Sequence, residues 1–188
     1  MVFASGYIYG GHYNPAVSLG VWIRGKYKTA AIPGYIIGQL LGGLLGAITG
    51  KYLLGFLPGA TEISTIGTFD FIGGALAEFL GTFFLVWAVL NTATDDAVKG
   101  KSFYGLAIGF TIMACAYGLA GITRGAFNPS VGISSVGVTS WTNIGIFLFG
   151  QLLAGMTASF VFIYVSGVSL KNSNTIVISG FPKYFLTQ

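Results

Sequence analysis

Polar residues able to do chemistry concentrate in two short stretches, Gly10-Gly11-His12-Tyr13-Asn14-Pro15-Ala16-Val17 and Arg124-Gly125-Ala126-Phe127-Asn128-Pro129-Ser130-Val131. Neither holds the acid–base pair, thiol or hydroxyl cluster of a catalytic site. With one histidine, one cysteine and five acidic residues in 188, the chain offers no metal-ligand set, and no cofactor and no enzymatic activity are expected. His12 reads as a loop-packing residue. What the two stretches do offer is backbone geometry and amide hydrogen bonds. Proline fits the first turn of a helix, where its missing N–H is not needed, and asparagine is a good N-cap. Asn14-Pro15 and Asn128-Pro129 are therefore helix starts, each approached through glycine-containing, non-helical backbone. One such start is an ordinary cap; two with matched segments after them point to a paired site.

Composition says where these helices sit. The chain is 54% hydrophobic and 7% charged, against roughly 25% charged in soluble domains, and its mean hydropathy is +0.79. A soluble fold so poor in charge would expose large apolar patches, so an all-α, multi-pass integral membrane protein is expected. The net charge of +4 comes from sparse basic residues at segment ends, which argues against nucleic acid as a partner. The single cysteine, Cys115, lies in an apolar run and leaves no disulfide framework.

Four segments, 30–55, 71–92, 103–122 and 141–168, are long enough to span a bilayer core, which takes about 20 helical residues. The stretches 14–23 and 128–138 are apolar but short, roughly 15 Å of helix at 1.5 Å per residue, and reach only halfway. Placing residues 24–28, 95–101 and the tail in the cytoplasm gathers Arg24, Lys26, Lys28, Lys99, Lys101, Lys171 and Lys183 on that side, with Lys51 and Arg124 outside. The two short helices then enter from opposite faces. The chain also repeats itself: Gln39 follows the first box within YIIGQLLGGLLG, and Gln151 follows the second within FLFGQLLAGM. Half-helix plus span, twice and with opposite entry, is an inverted repeat of the kind common in transport proteins. The expected organisation is an incomplete first repeat at 1–55, an extracellular loop at 56–70, a second repeat at 71–168 and a cytoplasmic tail at 169–188.

Half-helices meeting N-terminus to N-terminus bring roughly half a positive charge each to the midplane. The Asn14 and Asn128 amides would donate into a cavity, and the carbonyls of Gly10, Gly11, His12, Gly125, Ala126 and Phe127 would accept. A neutral solute could exchange its water hydrogen bonds for these, while cations and protons meet a positive barrier.

The boxes Gly11-His12-Tyr13-Asn14-Pro15-Ala16-Val17 and Gly125-Ala126-Phe127-Asn128-Pro129-Ser130, together with Ala77-Glu78-Phe79-Leu80-Gly81-Thr82-Phe83 and Leu106-Ala107-Ile108-Gly109, resemble the aquaporins, the major intrinsic protein family. The resemblance covers nearly the whole chain. It implies an inverted-repeat bundle with one pore per subunit, assembled as tetramers, either of this chain or with related channels. Only residues 1–10 resemble the family's second span, so the expectation is that the first span and most of the second are absent. The second box reads Asn-Pro-Ser, and Val131 stands where the family usually has arginine. The constriction positions still present map to Ala116, where water-selective members carry histidine, and to Gly125 and Val131; all three are small or apolar. Gly132 stands where glycerol facilitators usually carry aspartate. The resemblance gives Glu78 a structural role, its carboxylate accepting N–H groups of the second re-entrant loop. Its first-repeat counterpart would lie on the absent span.

Gln39 and Gln151 are expected to bond the re-entrant loops. The every-fourth-residue stripe Gly34, Gly38, Gly42, Gly46 and Gly50 should let another helix approach closely. Arg124 either anchors its loop or turns its guanidinium toward the mouth. The leading expectation is a passive channel for water and small neutral solutes in a lipid bilayer. A truncated, non-conducting subunit that joins full-length relatives is the alternative. A carrier is third, but carriers usually place ionisable residues at the midplane to couple ions, and Glu78 is the one candidate there.

Overall fold

The computed structural model describes residues 1–58, 66–135 and 139–167. The expected tail at 169–188 and the end of the second short segment, 136–138, lie outside them. Among the described residues the chain is all-helical apart from one isolated bridge between Ile66 and Thr139. Four stretches of the described residues are long and apolar enough to cross a membrane: Thr29–Leu54, Phe71–Thr94, Tyr104–Thr123 and Trp141–Ser166. They contain helices α3 (Ile32–Leu54), α4 (Phe71–Val89), α5 (Tyr104–Thr123) and α7 (Trp141–Ser166). Before them come α1 (Val2–Tyr9) and the first half-helix, α2 (Pro15–Ile23); the second half-helix is α6 (Pro129–Ser134).

Local chemistry sets these ends. Asp70 caps α4 by accepting from the Gly73 N–H at 2.6 Å, and Ser140 caps α7 by accepting from the Asn143 N–H at 3.2 Å. Past Val89, α4 widens into a π-helical turn, Leu90–Thr94. There Asn91, Thr92 and Thr94 each donate a side-chain hydrogen bond to the carbonyl four residues back. The second half-helix is shorter than expected. Ser134 and Ser135 turn their hydroxyls onto the carbonyls of Val131 and Gly132, at 2.9 and 2.6 Å, a local bonding pattern that competes with helix continuation.

The core lies where α4, α7 and α2 meet. Val17, Val21, Leu85, Val86, Val89, Leu90, Ala158 and Phe162 form one buried cluster. Fully burying side chains of this size stabilises by about 1.5–3 kcal/mol each where water is the reference; against lipid, close packing carries more of the gain. In contrast, α3 and α5 expose their apolar side chains along their length, Ile37, Leu45 and Ile48 on one and Leu106, Phe110 and Tyr117 on the other.

The glycine stripe of α3 is open among the described residues. A Cβ at Gly34, Gly38, Gly42, Gly46 or Gly50 would meet nothing within 4 Å. The close approach falls on Gly43 instead, where a Cβ would sit 2.8 Å from the Ser130 carbonyl oxygen of α6. Its counterpart on α7 is Gly155, where a Cβ would lie 2.7 Å from the Ala16 carbonyl oxygen of α2. Each half-helix thus rests its first turn on a glycine of one long helix.

Candidate functional site

The two re-entrant loops trace the same path residue for residue. Gly10, Gly11 and Tyr13 have φ of 86°, 60° and 51°; Arg124, Gly125 and Phe127 have 69°, 68° and 46°. This left-handed series turns the chain sharply after α1 and after α5. Each loop then ends in an extended asparagine, Asn14 at φ −153° and ψ 117°, Asn128 at φ −157° and ψ 117°. The proline that follows starts the half-helix.

Each asparagine works in two directions. Asn14 Oδ1 caps its own helix, accepting from the Ala16 N–H at 2.9 Å and the Val17 N–H at 3.4 Å. Asn128 Oδ1 accepts from the Ser130 N–H at 2.9 Å. The amide nitrogens cross over: Asn14 Nδ2 donates to the Phe127 carbonyl at 2.8 Å, and Asn128 Nδ2 to the Tyr13 carbonyl at 2.9 Å. The half-helices therefore meet N-terminus to N-terminus, cross-tied by reciprocal bonds. A primary amide has two N–H donors, so each asparagine keeps a second one beside the cavity that both residues line.

That cavity has a volume of about 170 Å³, and Leu85, Val89, Ile108 and Ile112 supply much of its apolar wall. Gly10, Gly11 and His12 line it, whereas Gly125, Ala126 and Phe127 do not. Phe127 is buried and its carbonyl takes the Asn14 amide. Ala116 and Gly125 are half-buried, and Val131 is 48% exposed while its repeat counterpart Val17 is 2% exposed. A wider space of about 830 Å³ opens toward Lys26, Asp95, Asp96 and Lys99. At the opposite end a cavity of about 470 Å³ is bordered by Gly67, Phe69, Ala120 and Arg124.

Support for the two loops differs. Fully buried Glu78 accepts from Thr123 Oγ1 at 2.6 Å, the Ala126 N–H at 3.0 Å, the Phe127 N–H at 2.7 Å and Gln151 Nε2 at 2.7 Å. Four donors on one carboxylate stabilise the charge at membrane depth, where an unpaired one costs several kcal/mol. In the first loop the His12 N–H donates to the Tyr35 hydroxyl at 3.1 Å. The His12 ring lies within 5.1 and 5.2 Å of the Tyr27 and Tyr35 rings, with Nδ1 3.2 Å from Ser18 Oγ. Gln39 Nε2 donates to that same Ser18 hydroxyl at 2.8 Å. Neither glutamine bonds a loop backbone in these contacts; each acts on a side chain that does the holding, Ser18 or Glu78. Tyr35, Ser18 and Thr123 were not picked out from sequence, because a lone hydroxyl in an apolar run carries no pattern. Asn143 is a further omission. It accepts from the Phe69 N–H at 2.9 Å and donates to the Gly67 carbonyl at 2.8 Å, and no sequence pattern pointed to that role.

Apolar spanning helices around two cross-tied half-helices define an integral, multi-pass membrane protein. Residues 1–162 match the family model described as Major intrinsic protein, and the chain belongs to that family, whose members are channels and not enzymes. It is similar to a probable aquaporin NIP-type of Nicotiana alata, 31% identical over 86% of this chain and 60% of the relative. Nodulin-26 of Glycine max is 28% identical over 97% of this chain and 67% of the relative. A probable aquaporin AqpM of Archaeoglobus fulgidus is 28% identical over 88% and 71%. The chain thus spans 60% of the length of the Nicotiana relative.

Proposed function

We propose that this protein is a passive channel for water and small uncharged solutes. The reciprocal tie between Asn14 and Asn128 carries the reading. It fixes two helix N-termini and two spare amide donors beside a cavity with largely apolar walls. A solute crossing there exchanges hydrogen bonds with the amides, while the paired N-terminal dipoles disfavour cations. The small residues Ala116, Gly125 and Val131 make the constriction wide and apolar, admitting uncharged solutes larger than water. Assembly as a tetramer, of this chain or with related channels, is part of the proposal. Reconstituted into proteoliposomes, the chain should accelerate osmotic shrinkage over empty vesicles without saturation or ion dependence. Saturable, ion-coupled uptake would replace the channel with a carrier.

A second reading is favoured by α3, whose apolar face and glycine stripe meet no partner among the described residues. On it, the chain does not itself conduct and instead joins full-length relatives and alters them. Flux absent from the chain alone but altered in a full-length relative on co-reconstitution would establish this reading over the first.

A further inference from the structure

We propose that Arg124 is the charge-selective residue of this pathway, supplying at the mouth the fixed cation that Ala116, Gly125 and Val131 do not. The inference rests on the channel reading above. Its first support is the comparison of repeats. Gly10 and Arg124 hold the same place in their loops, four residues before the asparagine, each ending a helix with its N–H bonded to the carbonyl four back, on Gly6 and Ala120. Both are left-handed, with φ of 86° and 69°. Glycine adopts that conformation freely and an L side chain does not. The first repeat uses the unstrained residue; the second tolerates strain to carry a guanidinium.

Its second support is placement. Arg124 is exposed and is the one charged residue bordering the 470 Å³ cavity with Phe69 and Ala120. Its side chain makes no ion pair or hydrogen bond among the described residues, where the one ion pair joins Lys26 to Asp96. A charge committed to holding its loop would be bonded to it.

The third support is Glu78. Its four bonded partners are neutral groups from Thr123, Ala126, Phe127 and Gln151. The carboxylate has no cation among these partners, and the residual negative field beyond its four donors is attractive to cations. Arg124 lies in the chain between two of those partners and offsets that field where a cation would enter.

The test uses the full chain in proteoliposomes, reading water flux by light scattering and proton and sodium leak with entrapped indicators. Arg124→Gln removes the charge and keeps the left-handed strain; Arg124→Gly removes both; Arg124→Lys keeps the charge. Both neutral variants should keep water flux and raise proton and sodium leak about tenfold, the low end of what focused fields do to ion access. Lysine should stay tight. Raising ionic strength should shrink the difference, since an exposed charge is screened. Water flux with unchanged leak in both neutral variants would overturn this inference alone, as would a lysine variant that leaks like glutamine. No water flux from the unaltered chain would overturn the channel reading and this inference with it.

Discussion

In the second repeat one buried carboxylate holds the loop, taking two backbone N–H groups, a hydroxyl and an amide. In the first repeat the equivalent stretch is held by neutral groups, the Tyr35 hydroxyl on the His12 N–H and a packed set of His12, Tyr27 and Tyr35 rings. Yet the backbone from Gly10 to Asn14 matches that from Arg124 to Asn128 in every left-handed turn. Loop shape is therefore a local property, set by the tight turns, the asparagine cap and the proline. Tertiary support stabilises that shape and differs between copies.

Removing support should separate the two loops. Glu78→Ala leaves four donors, three of them buried, without their acceptor and should lower stability by about 3–5 kcal/mol, since each unsatisfied buried donor costs about 1–3 kcal/mol. Tyr35→Phe removes one neutral acceptor and should cost about 1 kcal/mol. Denaturant unfolding in detergent reads both. Equal losses would mean the carboxylate contributes no more than a hydroxyl, and the contrast between the repeats would collapse.

Next in size is the cross-tie. Asn14→Asp keeps the Oδ1 cap on Ala16 and Val17 but turns the donor facing the Phe127 carbonyl into a second acceptor. The lost bond and the repulsion should cost about 2 kcal/mol, and water flux should fall with it. Asn128→Asp makes the same change at a half-buried site facing the Tyr13 carbonyl and should cost less. A larger loss at Asn128 than at Asn14 would show that burial does not rank the two ties.

These contrasts mark what was legible in the sequence. The spans followed from apolar length, and Asn-Pro located both helix starts, because these signals are local. The crossed amides were not legible. Asparagine pointing into a cavity and asparagine reaching the opposite loop have the same sequence, and only the meeting of the two loops decides. Glu78 stood out because a charge in an apolar run demands partners, while Tyr35 and Ser18 demand nothing and passed unnoticed. The α3 stripe was legible only in part, for a different reason. Periodicity shows where a helix can be approached closely but not by what, and the contact lands on Gly43, beside the stripe. Aligning the GQLLGG of α3 with the GQLLAG of α7 would have paired Gly43 with Gly155 and shown the correct face.

The same alignment pairs Gly38 with Gly150, and here the repeats part again. A Cβ at Gly150 would stand 2.7 Å from the Ala75 carbonyl oxygen of α4, whereas one at Gly38 meets open space. Backbone cannot yield as a flexible side chain can, so Gly150→Ala should force α4 and α7 apart and cost about 1–3 kcal/mol. Gly38→Ala fills nothing and gains helix propensity, so it should be neutral or stabilising by up to about 1 kcal/mol. Both are read by the same unfolding assay on the chain alone. If Gly38→Ala were as damaging as Gly150→Ala, a helix would have to be seated on the α3 stripe in the folded protein. The first repeat would then be covered by a second copy of this chain.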